Sequence, residues 1–349
     1  MDKSDIYIRI ETEARAEGSR LDKTLSELQP DRSRSYWQKI IEEGRVTVDG
    51  RSVRASRKLK EGEVIEAYLP PATELLVEPE DIPLSILFED EDVLVIDKPK
   101  NMVVHPAPGH MSGTVVNAVL YHCRGQLSGI NGVLRPGIVH RIDKDTTGSL
   151  MICKNDSSHR ALAKQLAEHS IERSYRALIW GNPLEDEFTV DQPIGRDPRD
   201  RKRMAIAAKG EGKNAITHVR VLERFEKLSY IECRLETGRT HQIRVHLSHL
   251  GYPLLGDGIY GRFRGPADGI GDEAAEQKRV KKELAMAGIP QSAAKDMRGQ
   301  CLHAMRLGFT HPESGERIIV DAPLPEYFEN LFTILGENFT PQNDFFMIN

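Results

Sequence analysis

The chain has 349 residues, of which 39% are hydrophobic and 29% charged, so it is long enough for two domains and has the composition of a soluble protein. No apolar run approaches the ~18–20 residues that a membrane-spanning helix needs. The polar start at Met1–Asp5 has no apolar segment after it, and the four cysteines are widely spaced. These features argue against a membrane protein or a disulfide-rich secreted protein, and they predict a cytoplasmic one.

The net charge of −5 is unevenly distributed along the chain. Residues 18–60 contain eleven lysines and arginines against six acidic residues, whereas residues 322–349 contain four acids and no lysine or arginine. An acidic protein is not the usual binder of nucleic acid, but a basic region of this kind is typical of one. The distribution therefore favours a nucleic-acid contact in the N-terminal part.

After a polar N-terminal segment (1–17), residues 18–70 show the pattern of a small α/β domain. Leu21 and Leu25 lie one helical turn apart and predict a first helix, and a second helix is expected to stop at Gly44. The alternating stretch that follows ends in Asp-Gly, a strong signal for a tight turn between two strands.

This order of two helices, a strand and a tight turn resembles the S4 RNA-binding domain. The motifs that carry the resemblance are Arg20-Leu21-Asp22, Ser33-Arg34, Gly44-Arg45-Val46 and Val48-Asp49-Gly50. It implies that basic side chains contact RNA phosphates, with salt-sensitive binding that follows shape more than sequence. The residues expected to do so are Arg20, Arg34, Lys39 and Arg45. A proline-rich linker at 71–83 is expected to end this domain.

Residues 84–337 carry the signals of a larger domain in which strands outnumber helices. Two apolar runs flank four acids and predict a hairpin, and a helix is expected at 113–123. Most strands are joined as hairpins, which predicts an α+β fold with a mainly antiparallel mixed sheet. Residues 262–299 are expected to form a partly helical insertion, and residues 338–349 a C-terminal tail.

A dense polar stretch at 137–150 lies between two apolar segments and predicts a strand, a loop and a strand. Composition alone favours a solvated, charged turn. Gly148 allows a positive φ or a close approach by another group. A hydrolase with Asp143 and Asp145 as its carboxylate pair is an alternative, but alternate residues of an extended segment point to opposite sides and would not flank one bond.

A second polar stretch at 236–251 has apolar residues at helical spacing, with Thr240 as the expected N-cap and Gly251 as the expected end. Of its histidines, only His246 and His249 share a helical face, which is poor support for a metal site. The sequence contains no zinc-protease, serine-hydrolase, P-loop or dinucleotide-binding motif.

Several motifs together resemble the RluA-type pseudouridine synthases across residues 84–325. They are Asp97-Lys98-Pro99, His140-Arg141-Ile142-Asp143-Lys144-Asp145-Thr146-Thr147-Gly148, Tyr175 in a Tyr-x-Ala pattern, and Thr237-Gly238-Arg239-Thr240-His241-Gln242-Ile243-Arg244-Val245-His246 followed by Gly256-Asp257. The resemblance implies an enzyme that isomerises uridine in RNA to pseudouridine. That reaction needs neither a redox change nor an outside group, so no cofactor and no metal are expected.

The resemblance also implies roles for individual residues. Asp143 is the catalytic carboxylate, acting as nucleophile or base, and Arg244 is the cation that keeps it ionised. Arg141 fills the space that the extruded base leaves in the RNA, and Tyr175 stacks on the uracil. Their alternatives are a surface ion pair for Arg244, a phosphate contact for Arg141 and a core aromatic for Tyr175. The residues expected to shape the loop are His140, Thr147 and Gly148.

The expected partner is large-subunit ribosomal RNA or a pre-ribosomal particle, bound by a monomer. Two alternatives remain open from the sequence. One is the same chemistry on another RNA such as tRNA, and the other is a catalytically silent RNA-binding or ribosome-assembly protein with this fold. The sequence also leaves open which uridine reacts, and whether the carboxylate attacks C6, attacks C1′ or removes the C2′ proton.

Overall fold

The structure is a computed structural model that describes residues 6–29, 34–69, 77–106, 111–124, 126–130, 136–200, 203–208, 210–263, 273–295 and 297–336. Ser33, residues 71–76 of the expected linker and the expected C-terminal tail lie outside the described residues. The chain divides into two compact units, Met1–Leu75 and Leu76–Asn349. Among the described residues, no helix combines the length and the apolar character that crossing a membrane requires.

The small unit packs two helices on a four-stranded sheet. Its elements are β1 (Ile6–Glu11), α1 (Leu21–Leu28), α2 (Arg34–Glu42), β2 (Val46–Val48), β3 (Arg51–Ser52) and β4 (Val64–Leu69), with the strand order β1-β4-β2-β3. Leu21, Leu25 and Trp37 are buried in its core, as the helical periodicity requires. Asp49 and Gly50 both have positive φ, which confirms the predicted tight turn.

Residues 6–11, which the sequence places in a separate N-terminal segment, form strand β1 of this sheet. β1 pairs antiparallel with β4 from Ile6 opposite Leu69 to Glu11 opposite Val64. The pairing occupies the backbone donors and acceptors of an otherwise exposed strand edge. The strand therefore belongs to the small unit.

The large unit is a nine-stranded sheet with helices on both faces. In chain order its elements are β5 (Ser85–Glu89), β6 (Val93–Lys98), α3 (Val115–Cys123), β7 (Thr147–Cys153), α4 (Asp156–Ala167), β8 (Glu172–Trp180), β9 (Glu187–Asp191), β10 (Ile194–Arg196), β11 (Met204–Ile206), β12 (Ile216–Arg224), β13 (Leu228–Leu235), α5 (Gln242–His249), α6 (Glu273–Ala287), β14 (Leu302–Thr310), β15 (Arg317–Asp321) and α7 (Glu326–Leu335). The predicted β5–β6 hairpin and the helix before the polar loop are confirmed.

The strand order of the large sheet is β5-β6-β7-β14-β8-β13-β12-β9, with β15 beside β14, while β10 and β11 form a separate hairpin. Every described pairing in the large sheet is antiparallel except that of β7 with β14. The predicted α+β class with a mainly antiparallel mixed sheet is confirmed. The parallel pair places the polar loop before β7 beside the centre of the sheet.

Alternate residues of β8 face different helices, which is why this strand is buried along its whole length. Ala177 and Ile179 pack in the cluster that contains Leu247 of α5. Leu178 and Trp180 pack on the other face, in the cluster that contains α6 and α7. The first of these faces carries the candidate site.

The expected insertion at 262–299 contributes helix α6 to the protein core. Val280 and Leu284 are buried with Trp180, and the Trp180 indole N–H donates to the buried carboxylate of Glu283 at 2.6 Å. The apolar side chains of α6 lie one turn apart in a highly charged segment, so the pattern is weak in the sequence. The apolar side of α6 therefore packs against the sheet.

Candidate active site

The carboxylate of Asp143 lies in the polar loop before β7 and is paired with a guanidinium from α5. Nη1 of Arg244 donates to Oδ2 of Asp143 at 2.8 Å, although the two residues are 101 positions apart. The side chains of Asp143 and Arg244 are 17% and 6% exposed. The structure therefore brings together the two residues that the sequence assigns to the catalytic pair.

A second carboxylate, from Asp257, fixes the other edge of the same guanidinium. Nε and Nη2 of Arg244 donate to the two carboxylate oxygens of Asp257 at 2.7 and 2.9 Å. Oδ1 of Asp257 also accepts the backbone N–H groups of Ile259 and Tyr260 at 2.9 and 3.0 Å. A bidentate pair of this kind fixes the plane of the arginine, so Nη1 is held towards Asp143.

These contacts keep Asp143 ionised in spite of its burial. Burial alone would raise the pKa of Asp143, but the nearby His241 and Arg244 and the hydrogen bond from Arg244 lower it to about 2. Burial also opposes the charge of Arg244, yet the two carboxylates hold the pKa of its guanidinium above the usual range. The arrangement presents a fixed negative charge at neutral pH.

His241 lies on the other side of the Asp143 carboxylate. Its Nε2 is 3.8 Å from Oδ1 of Asp143, and its Nδ1 is 2.8 Å from the phenol oxygen of Tyr260. That oxygen already accepts the backbone N–H of Met204 at 2.9 Å, so we assign the phenol proton to the bond with Nδ1. Burial lowers the pKa of His241, which favours a neutral ring with its own proton on Nε2.

Asp143 opens onto a cavity of about 500 Å³ that is lined by both polar stretches of the sequence. Arg141 and Tyr175 also line this cavity. Tyr175 is on β8, and burial raises the pKa of its hydroxyl, which is therefore protonated at neutral pH. Arg141 is exposed at the surface. The volume is in the range that small-ligand sites usually have and accommodates a single nucleobase.

The three residues expected to shape the loop hold it to the sheet in different ways. His140 accepts the backbone N–H of Met151 on Nε2 at 3.0 Å, and burial beside Arg173 lowers its pKa to about 3. Thr147 and Gly148 are the first two residues of β7. Gly148 has a φ of 104°, and a Cβ there would collide with the backbone of Ala304. These contacts fix the strand on which the loop ends.

Lys98, from the first motif, ties the loop to the end of β6. The side chain is fully buried, and its Nζ donates to the carbonyl oxygens of Pro99, Met102 and Lys144 at 2.7, 2.9 and 2.9 Å. Burial lowers the pKa of Lys98 to about 7, against the raising effect of Asp145. Through its contact with the carbonyl of Lys144, Lys98 binds the backbone of the loop next to Asp143.

The helix that carries Arg244 begins differently from the prediction. The sequence predicts Thr240 as the N-cap, but α5 starts at Gln242, and His241 is the N-cap residue with a φ of 56°. The side chain of Gln242 instead ties the turn to β12, where its amide donates to the hydroxyl of Thr217 at 3.0 Å. The prediction of the cap is therefore wrong, because a tertiary contact replaces the local one.

In the small unit, the four basic residues that are expected to contact RNA form two pairs, and the two members of each pair lie close to the same acidic residue. Arg20 and Arg34 both contact the buried carboxylate of Asp22, at 2.9 and 3.1 Å. Each of these two arginine side chains is nearly half exposed. Lys39 and Arg45 each lie 3.8 Å from Glu43. The first pair therefore also joins α1 to α2.

One cluster of possible metal ligands occurs in the described part of the large unit. Asp90, Asp92 and His311 offer ligand atoms within 4.8 Å of one another. However, Nδ1 of His311 accepts the N–H groups of Glu313 and Ser314 at 3.3 and 3.1 Å, so the ring proton is on Nε2. Nε2 lies 2.8 Å from Oδ2 of Asp90, which is an ion-pair distance.

Comparison with known proteins assigns the chain to a family. A family model described as RNA pseudouridylate synthase matches residues 92–249, and an S4 domain model matches residues 19–65. A Bacillus subtilis protein named "Uncharacterized RNA pseudouridine synthase YlyB" is 45% identical over 91% of this chain and 95% of its own length. This chain belongs to the RNA pseudouridylate synthase family.

Other comparisons agree with this family assignment. A Zymomonas mobilis protein named "Ribosomal large subunit pseudouridine synthase D" is 45% identical to the synthase over 91% of this chain and 94% of its own length. A solved structure, "Human RNA Pseudouridylate Synthase Domain Containing 4", shares the fold with a TM-score of 0.52 at 22% identity, covering 72% of this chain and 92% of that one. The resemblances to the S4 domain and to pseudouridine synthases are confirmed, and the synthase is an isomerase that acts on RNA.

Proposed function

We propose that the synthase isomerises uridine in large-subunit ribosomal RNA, with Asp143 as its catalytic carboxylate. The observation that carries the proposal is the ionised Asp143 at the wall of a cavity that has room for a nucleobase, held there by Arg244. Relatives named as large-subunit pseudouridine synthases, 40–45% identical over most of the chain, support the choice of RNA.

The reaction rearranges one nucleotide without an external reactant. The N1–C1′ bond breaks, the uracil turns, and a C5–C1′ bond forms. The proton that leaves C5 is balanced by a proton gained at N1. Asp143 acts on the base or the sugar, as a nucleophile or as a base. Its low pKa means that no proton has to be removed from it first.

We propose that the uridine leaves the RNA stack before it reacts, because Asp143 faces a cavity and not an open surface. Extrusion of a base costs a few kcal/mol, and a side chain that fills the gap offsets part of this cost. Arg141 is exposed at the cavity rim and suits this role. Tyr175 lines the cavity with a ring that can stack on the uracil. Its hydroxyl is protonated, so it can relay the C5 proton only by passing on its own proton as it receives that one.

The small unit suits contact with the RNA backbone. Arg20 and Arg34 share the single carboxylate of Asp22, so this cluster keeps a positive charge. Each guanidinium also remains partly exposed. Fixed, partly exposed arginines suit phosphate binding because less side-chain freedom is lost on contact.

The first test of the function is chemical. Purified synthase should release tritium from C5-labelled uridine in a large-subunit rRNA transcript, and tRNA is the matched control substrate. Mapping of pseudouridines in rRNA from a strain without this protein should show one or more sites missing. Release from tRNA alone would contradict the proposed substrate, and release from neither RNA would contradict the proposed reaction.

Deletion of residues 1–75 should separate RNA affinity from chemistry. We expect weaker binding to the rRNA transcript. The plot of log affinity against log salt concentration should also be less steep, and its slope should decrease by about 0.7–0.9 for each phosphate that the shortened protein no longer binds. Turnover of a short stem-loop that carries the target uridine should survive, because Asp143, Arg244 and Asp257 all lie in the large unit. An unchanged salt slope would contradict an RNA-binding role for the small unit.

A further inference from the structure

Arg173 is a buried cation without an acidic partner among the described residues. It lies on β8 and is only 7% exposed. Its Nη2 donates to the backbone carbonyl of Glu236 at 2.9 Å, and its Nε is buried with no hydrogen-bond partner. In the described part of the chain, no carboxylate oxygen lies within 4.0 Å of this guanidinium. Buried arginines are normally paired, so this one is incompletely satisfied.

The surrounding residues do not supply the missing negative charge. Burial raises the pKa of Tyr175, so its hydroxyl is neutral, and His140 is also neutral because burial lowers its pKa. The charge of Asp143 is already paired with Arg244. Arg239, which also lines the cavity, adds a second positive charge nearby. The local field therefore favours an incoming anion.

The guanidinium of Arg173 packs closely against the backbone at Gly238. A Cβ at Gly238 would lie 2.5 Å from Nη1 of Arg173. The turn at Gly238 therefore packs against the guanidinium, and a larger residue there would have to displace the end of the Arg173 side chain. Arg173 and Tyr175 are two positions apart on β8, so they share the face of the strand that lines the cavity.

We infer that Arg173 binds a backbone phosphate of the nucleotide whose base enters the cavity. The inference rests on the proposed function, because it takes the cavity to be the uridine site. Uracil is neutral, and the nearest anion that accompanies it is its own 5′ or 3′ phosphate. An arginine that is left unsatisfied inside the cavity and faces this phosphate gains a charge-assisted hydrogen bond only when RNA is bound.

The test uses the Arg173→Met variant of the full chain and uridine 3′,5′-bisphosphate as the probe. Wild-type protein should be stabilised against heat more by millimolar bisphosphate than by uridine, and the variant should lose this difference. Without a ligand, the variant should melt at the same temperature or higher, because it no longer buries an unsatisfied cation. Equal stabilisation of wild type by uridine and the bisphosphate would overturn the inference.

Binding to the large-subunit rRNA transcript supplies a second readout that a purely structural role would not change. Arg173→Met should weaken binding about tenfold and reduce the salt slope by about 0.7–0.9, the value for one bound phosphate. Arg173→Lys should keep most of the slope. Lys227→Met is the matched control, because this half-exposed lysine lies outside the cavity and its side chain is 3.8 Å from the carboxylate of Glu226.

The possible failures can be distinguished. An unchanged slope in Arg173→Met would overturn the phosphate contact even if the wild type is active. A variant that unfolds, together with a lysine variant that does not restore the slope, would also overturn it. If the wild type binds the bisphosphate through Arg173 but releases no tritium, the phosphate contact is supported and the proposed reaction is overturned.

Discussion

Asp143→Asn should abolish pseudouridine formation and leave RNA binding nearly unchanged. The amide has the shape of the carboxylate but is neither a nucleophile nor a base, so we expect tritium release to fall by more than about a thousandfold. Arg244 would keep its bidentate pair with Asp257, and the fold of the site should therefore survive. Tritium release measures the chemistry, and filter binding of the same rRNA transcript measures the affinity.

Asp145→Asn is the matched control for this prediction. Asp145 is the other acid of the same loop, but it does not line the cavity. The Asp145 variant should retain most of the wild-type rate. An equal loss in both variants would contradict the assignment of the chemistry to Asp143 alone. Undiminished release by Asp143→Asn would place the reaction on another residue.

The sequence predicts the parts of the site that depend on local pattern or on resemblance. Local pattern is sufficient for β7 and α5, on which the two polar stretches are placed. The strand predicted before the first stretch is wrong, because Ile138 forms only an isolated bridge with Ile152. The pairing of Asp143 with Arg244 follows from resemblance, and the structure provides its geometry. Neither the spacing nor the composition of the two stretches would show that residues 101 positions apart meet.

The parts that the sequence does not predict depend on tertiary contacts. Asp257 belongs to the Gly-Asp motif in the sequence, but its bidentate contact with Arg244 requires the chain to return after α5. His241 is not predicted as a neighbour of Asp143, because helical spacing does not predict its left-handed backbone conformation just before α5. Arg173 has no local signal, since an arginine in a strand usually faces solvent.

Arg244→Met should be the most damaging single change in the site. It leaves Asp143 and Asp257 buried without their shared cation, and loss of one member of a buried ion pair typically costs about 3–5 kcal/mol. With burial no longer balanced by Arg244, the pKa of Asp143 should rise. The variant should melt at a lower temperature than wild type and show little activity at neutral pH.

The pH dependence of stability distinguishes this explanation from simple loss of packing. In wild type the pKa of Asp143 is lowered to about 2, and that of Asp257 is also lowered. Their contribution to stability is therefore present above about pH 4 and is lost as the pH falls through the folded-state pKa values. In the variant, protonation of these carboxylates relieves the unpaired charge. The difference in melting temperature between wild type and Arg244→Met should be large at pH 7 and should shrink towards pH 4.

Two further variants complete the test of Arg244. Arg244→Lys keeps the charge but lacks the planar donors for both carboxylates, so its stability and rate should be intermediate. Arg15→Met removes an exposed pair with Glu13 and should change the melting temperature little at any pH. A difference between wild type and Arg244→Met that stays constant from pH 7 to pH 4 would show that Arg244 acts through packing. In that case the pairing with Arg244 would not explain the ionised state of Asp143.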